Sequence, residues 1–221
     1  MNASSVQGTQ QFLFRIPQAP AGMSDAAKVA IQIGGLASRQ TSILRTRTYH
    51  PDGRDENVAE HSLMLAKVAP ELAEMLYPDL DANLVARYAA MHDDVEAYVG
   101  DTPTDILAEH DPAAKESLEA AGLQQLLKEY AHMPGYTRLV VQYEAQSTPE
   151  SRFVRAVDKL MVLLIHIPNH CATLLKHYDK DSFIASEQQA MKRDAYKYGE
   201  FDKILGLREE IGLALVDTYF K

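Results

Sequence analysis

Three short segments of this 221-residue chain concentrate side chains that can bind a metal or move a proton: Glu56-Asn57-Val58-Ala59-Glu60-His61, His92-Asp93-Asp94-Val95-Glu96 and Val157-Asp158-Lys159. Imidazole and carboxylate ligands suit manganese, cobalt, iron, zinc or magnesium, and the absence of clustered cysteines argues against a structural zinc. His61, His92, Asp93 and Asp158 could supply four ligands from three helices and leave coordination positions open. Open positions are what a hydrolytic metal needs, because they hold the attacking water and a phosphate oxygen.

Adjacent His92 and Asp93 cannot share one helical stripe, since successive side chains sit about 100° apart, but they can converge on an ion near the end of a helix. Glu96 follows His92 by four residues and so shares its face. There it could orient or deprotonate a water at the metal, or protonate a leaving oxygen. Taken singly these residues say little, because a lone histidine is more often a buried or capping one and His-Asp pairs arise by chance. Asp158 is less bland: a carboxylate among Phe153, Val157, Leu160 and Met161 is costly to bury without a cation or a full set of hydrogen bonds.

These residues need helices to carry them. Apolar positions Leu65, Val68, Leu72 and Leu76 predict an amphipathic helix over Val58 to Leu76, ended by Tyr77-Pro78. Asp81 caps the next, with Leu84, Val85, Tyr88 and Met91 facing inward. Ser147 or Thr148, with Pro149 and Glu150 behind it, starts the helix that holds Asp158. Ser24 caps a helix over Asp25 to Ser38, Pro112 to Tyr130 forms another, broken at Pro134-Gly135, and Ser182 to Tyr219 forms two more around Gly199. With no strand alternation and no repeat, the expectation is an all-α fold of about seven helices. Residues 1–23 read as a flexible N-terminal arm and 24–221 as one domain.

Composition adds exclusions. A formal charge of −9 and a pI near 5.3 oppose binding of a long nucleic acid, which needs a basic surface, yet leave room for a small phosphate ester. The single cysteine, Cys171, excludes an intrachain disulfide. The longest apolar run, Leu160 to Ile167, is far short of the roughly 20 residues of a membrane helix, and the N-terminus lacks a secretory pattern, so a cytoplasmic protein with no membrane partner is expected.

The wording of the segments goes further. Glu56-Asn57-Val58-Ala59-Glu60-His61-Ser62, the stretch Met91-His92-Asp93-Asp94-Val95-Glu96 through Gly100-Asp101-Thr102-Pro103-Thr104, and Ala156-Val157-Asp158-Lys159-Leu160 resemble, in order, the motifs of the HD-domain phosphohydrolases. The likeness is to the bacterial 5'-deoxynucleotidase branch and covers roughly Leu36 to His166. The resemblance implies a single HD-domain helical bundle with His61, His92, Asp93 and Asp158 as metal ligands and Glu96 acting on the hydrolytic water. It makes Asp101 a further active-site acid, for substrate placement or support of the ligands, and sets Thr104 beside the substrate. It implies one divalent transition metal, manganese, cobalt, iron or zinc, with magnesium accompanying the substrate as a further option.

The branch also carries an arginine upstream of the first histidine that contacts phosphate. Arg45 fits by spacing and Arg47 is second; a guanidinium suits the task because it can grip two phosphate oxygens at once. The tryptophan often found beside that arginine is missing, since the chain has none, and Tyr49 is the available substitute. The expected activity is hydrolysis of a 5'-deoxynucleoside monophosphate to deoxynucleoside and phosphate. A deoxynucleoside triphosphohydrolase, as in viral nucleotide-pool enzymes, and a non-catalytic nucleotide-binding protein stand as alternatives. Apolar C-terminal helices point to a homodimer or higher homo-oligomer.

Overall fold

Side-chain caps set where the helices of this computed structural model begin. Residues 20–101 and 112–221 are described; the side chains of residues 46–49 and of Pro112 are not. Ser24 accepts from Ala27 N to start α1 (Asp25–Gln40). A two-stranded antiparallel ribbon follows, β1 (Leu44–Tyr49) and β2 (Asp55–Asn57), and runs directly into α2 (Val58–Leu76). Asn57 and Glu60 form a reciprocal capping box: Glu60 N donates to Asn57 Oδ1 at 3.0 Å and Asn57 N to Glu60 Oε2 at 3.1 Å. Asp81 accepts from Asn83 N and Leu84 N to begin α3 (Ala82–Met91), and α4 (Glu96–Val99) is a single turn beyond it.

The second half continues with α5 (Pro112–Glu129), α6 (Pro134–Glu144) and α7 (Pro149–Leu164). The start of α7 is a second capping box, between Thr148 and Ser151. The single turn α8 (Leu174–His177), α9 (Lys180–Tyr198), a 3₁₀ turn over Gly199–Phe201 and α10 (Asp202–Tyr219) complete the described chain.

Helices α2, α3 and α7 pack on one another. Their contact surfaces supply the centre of the main core: Val58, Leu65, Ala69 and Ala73 from α2, Val85, Tyr88 and Ala89 from α3, and Phe153, Val154 and Val157 from α7. A smaller cluster of Leu163, Cys171, Phe183, Leu215, Val216 and Phe220 ties the end of α7 to α9 and α10. There Arg208, buried on α10, ion-pairs with Glu187 and Asp194 of α9 at 3.0 and 2.6 Å.

The fold is all-α apart from the small ribbon, which the sequence did not announce. Among the described residues the helical segments exceed the expected seven. Two extra segments are the single turns α4 and α8; the third is α6. Pro134-Gly135 ends α5's run as expected, but Pro134 also occupies the first turn of α6, where its missing N–H costs nothing. No helix among the described residues is long and apolar enough to cross a membrane. Of the expected arm at 1–23, residues 1–19 lie outside the described residues, as does Thr104.

Candidate active site

Each metal-ligand candidate sits where a cap or a helix end puts it. His61 is one turn into α2, fixed by the Asn57–Glu60 box. Asp158 lies midway along α7. His92 is the C-cap of α3, and residues 92–95 form a tight turn, with Asp94 N donating to Met91 O and Glu96 N to Asp93 O, both at 3.0 Å. Glu96 therefore does not share a helical stripe with His92, as its i+4 spacing suggested: α3 stops at Met91, and Glu96 opens α4 beyond the turn, near enough to Asp93 and Arg45 to feel their charges.

His61, His92 and Asp158 each offer a ligand atom within 4.8 Å of the others'. Asp158 Oδ1 lies 2.9 Å from His61 Nε2 and 4.0 Å from His92 Nε2. Asp93 Oδ2 is 2.9 Å from His92 Nε2. The other nitrogen of His92 sets its neutral form: Nδ1 lies 2.9 Å from Ala89 O, a group that only accepts, so Nδ1 carries the hydrogen and the Nε2 lone pair is left for a proton or a cation. That Nε2 is buried, and the Asp93 carboxylate 2.9 Å away is not aligned for a hydrogen bond with it. A buried imidazole lone pair facing two carboxylates is a donor set that fits a divalent cation.

The charges around this point tell the same story. Burial alone would raise Asp158, but Lys159, His61 and His92 outweigh it and hold the carboxylate well below its usual range. Burial likewise opposes ionisation of Asp93, and His92 and Arg45 pull it down nonetheless. His92 moves up because Asp93 overcomes the desolvation penalty. The surroundings thus call for positive charge at Nε2, whether a proton or a metal. Glu96 goes the other way: desolvation, then repulsion from Asp93 and Asp101, pushes it up to about 10.

Arg45 comes to this site from β1, its Nη1 donating to Asp93 Oδ2 at 3.1 Å and its Nε 3.4 Å from Glu56 Oε2. Asp101 is near enough to act on the charges of both Arg45 and Glu96. Gly100 before it has φ +79°, a left-handed conformation that favours glycine and turns the chain out of α4. The side chains of Arg47 and Tyr49, and all of Thr104, lie outside the described residues.

Several neighbours went unassigned in the sequence. Glu56 is almost fully buried beside Arg45, with Oε2 4.0 Å from His61 Nδ1. In the sequence it stands in the first metal-binding segment without a role of its own, and a carboxylate five residues before a candidate ligand histidine is the available signal. Asp94 is buried and pushed up to about 7 by that burial. Arg155, one turn before Asp158, donates to Glu144 Oε2 at 3.0 Å and lies 4.5 Å over the Tyr143 ring. Tyr143 in turn meets the His92 ring edge-on, 6.3 Å between centroids.

Residues 38–198 match the family described as HD domain. The chain is 31% identical over 145 residues to a Xenopus laevis protein named 5'-deoxynucleotidase HDDC2, an alignment spanning 64% of this chain and 69% of the relative. It is 28% identical over 140 residues to the Homo sapiens protein of the same name, 62% of this chain and 67% of the relative. A crystal structure from Magnetospirillum magnetotacticum MS-1, described as a predicted metal-dependent phosphohydrolase, superposes with a TM-score of 0.66 at 27% identity, over 88% of this chain and 94% of that one. The chain belongs to the HD-domain family.

Proposed function

We propose that the protein is a metal-dependent 5'-deoxynucleotidase, converting a deoxynucleoside 5'-monophosphate to deoxynucleoside and phosphate. The observation that carries the reading is the convergence of His61, His92 and Asp158, with the lone pair of His92 Nε2 aimed into the group. The names of the relatives support the substrate class.

His61, His92, Asp93 and Asp158 would hold the cation, with manganese, cobalt, iron or zinc matching the donor types. A divalent cation bound there supplies Lewis-acid polarisation of the phosphoryl group and an activated water at neutral pH. Arg45, close to Asp93, offers its guanidinium to the phosphate oxygens and keeps its charge throughout. Glu96 favours its protonated form beside Asp93 and Asp101, which suits it to give a proton to the leaving 5'-oxygen and recover one from water. Asp101, directly after Gly100, is assigned to the sugar side. Arg47, Tyr49 and Thr104 complete the proposed substrate contacts. We assign the enzyme to the cytoplasm as a homodimer of chains whose single domain spans 24–221.

A panel of ribo- and deoxynucleoside mono- and triphosphates, assayed with manganese, cobalt and magnesium, tests the reading. Inorganic phosphate from deoxynucleoside monophosphates, abolished by Asp93→Ala and by Glu96→Ala, is the expected result. Release of intact triphosphate would transfer the assignment to a triphosphohydrolase, and turnover of nothing would refute both.

A further inference from the structure

The turn that carries His92, Asp93 and Glu96 contains one more acid, and its carboxylate is taken up by residues outside the ligand group. Asp94 is 6% exposed, and both of its oxygens are engaged by distant elements. Gln40 Nε2, from the last residue of α1 and itself 4% exposed, donates to Oδ1 at 3.0 Å. The Tyr136 hydroxyl, from α6, donates to Oδ2 at 2.5 Å.

The two anchors are themselves joined. The Tyr136 ring packs edge-on against Tyr130, 5.2 Å between centroids. The Tyr130 hydroxyl donates to Gln32 O at 3.3 Å, returning to α1. A closed circuit of α1, Asp94, Tyr136, Tyr130 and α1 again therefore ties the turn to two helices. Burying a carboxylate is expensive, and an apolar side chain would fill this place at lower cost. What an aspartate adds is direction: two donors on two oxygens fix the plane of the group, and with it the peptide units on either side. Those units also make the turn's own bonds, Asp94 N to Met91 O and Ala97 N to Asp94 O.

We infer that Asp94 is a positioning residue, clamped by Gln40 and Tyr136 so that the 92–96 turn presents His92, Asp93 and Glu96 in the geometry the cation requires. The inference rests on the metal-site reading above. Partners that orient metal ligands typically contribute a factor of about 10–100 in metal affinity. The clamp should do so without touching the ion.

Manganese binding to the metal-stripped full-length chain, by titration calorimetry, tests it, with folding checked by circular dichroism. Tyr136→Phe keeps the ring and deletes the hydroxyl, Asp94→Leu deletes both acceptors, and Asp94→Asn can still accept from Gln40 while donating to the tyrosine oxygen. The expected result is a loss of about 10–100-fold for Tyr136→Phe and Asp94→Leu, with Asp94→Asn close to wild type. Should Asp94→Leu not fold, Tyr136→Phe carries the comparison. Wild-type affinity in Tyr136→Phe overturns the inference, as does an Asp94→Asn loss equal to that of Asp94→Leu. His61→Ala is the reference for the site itself: if wild type binds manganese no better than this variant, the metal-site reading fails and the inference falls with it. If the two differ while Tyr136→Phe matches wild type, only the inference fails.

Discussion

Lys159 Nζ donates to Asp158 Oδ2 at 2.7 Å, on the oxygen opposite the one that meets the imidazoles. The lysine thereby holds the carboxylate with a single oxygen, Oδ1, turned toward His61 and His92. Lys159→Met should let the carboxylate rotate and weaken manganese binding by about tenfold, while Lys159→Gln, which retains a donor, should lose less. Calorimetric titration of the metal-stripped variants checks both.

Arg45 is placed beside Asp93 and Glu56, where two of its nitrogens are already oriented by carboxylates. Removing a preorganised donor to developing phosphate charge costs on the order of a hundredfold in rate, so Arg45→Met should lower kcat/KM for a deoxynucleoside monophosphate by about that factor. Arg45→Lys should recover little of it, because an ammonium cannot span two oxygens. Steady-state phosphate release over a range of substrate concentrations gives the values.

Gly122 lies in the middle of α5, where alanine would ordinarily gain about 1 kcal/mol of helix stability. A Cβ there would stand 2.7 Å from Val99 Cγ1 and 3.2 Å from Val95 Cγ1, both on the segment that carries Glu96. Valine is stiff about χ1, so the contact must be relieved by moving α4. Gly122→Ala should therefore destabilise the protein by about 1–3 kcal/mol rather than stabilise it, and should lower turnover as well. Denaturant unfolding and the phosphate assay report the two effects separately.

His166 predicts an acid-side loss of stability unrelated to the metal site. Burial lowers it from 6.5 to about 4, and its Nδ1 has no hydrogen-bond partner among the described residues. The native state thus keeps the imidazole neutral while the unfolded chain protonates near its ordinary value. The contribution is fully present above that value and is lost as pH falls toward the depressed one. Between pH 7.5 and pH 5 the loss should be about 2 kcal/mol. Urea midpoints at the two pH values should differ accordingly, and His166→Leu should flatten that difference.

Much of this arrangement is legible in local chemistry. Ser24, Asp81 and Thr148 are short polar side chains ahead of periodic apolar runs, and each caps the helix it precedes. The limits of α2 follow from Asn57 and Tyr77-Pro78, and the motif order points to the convergence of His61, His92 and Asp158. The ribbon was not legible, because Leu44 to Tyr49 has no apolar alternation and pairs only through its partner strand. Helix α6 was hidden by Pro-Gly, which reads as a stop from one side and a start from the other. The roles of Glu56 and Asp94 are not legible for a different reason: their partners Arg45, Gln40 and Tyr136 are brought up by tertiary packing, which no periodicity encodes.

The central claim is that hydrolysis depends on a cation held by His61, His92 and Asp158. The direct measurement is phosphate release from a deoxynucleoside monophosphate by chelator-stripped protein, before and after manganese is added back, for wild type and for Asp158→Ala. The account predicts negligible release from the stripped wild type, recovery on adding manganese, and no recovery in a folded Asp158→Ala. Undiminished hydrolysis after stripping, or full activity in Asp158→Ala, would contradict it.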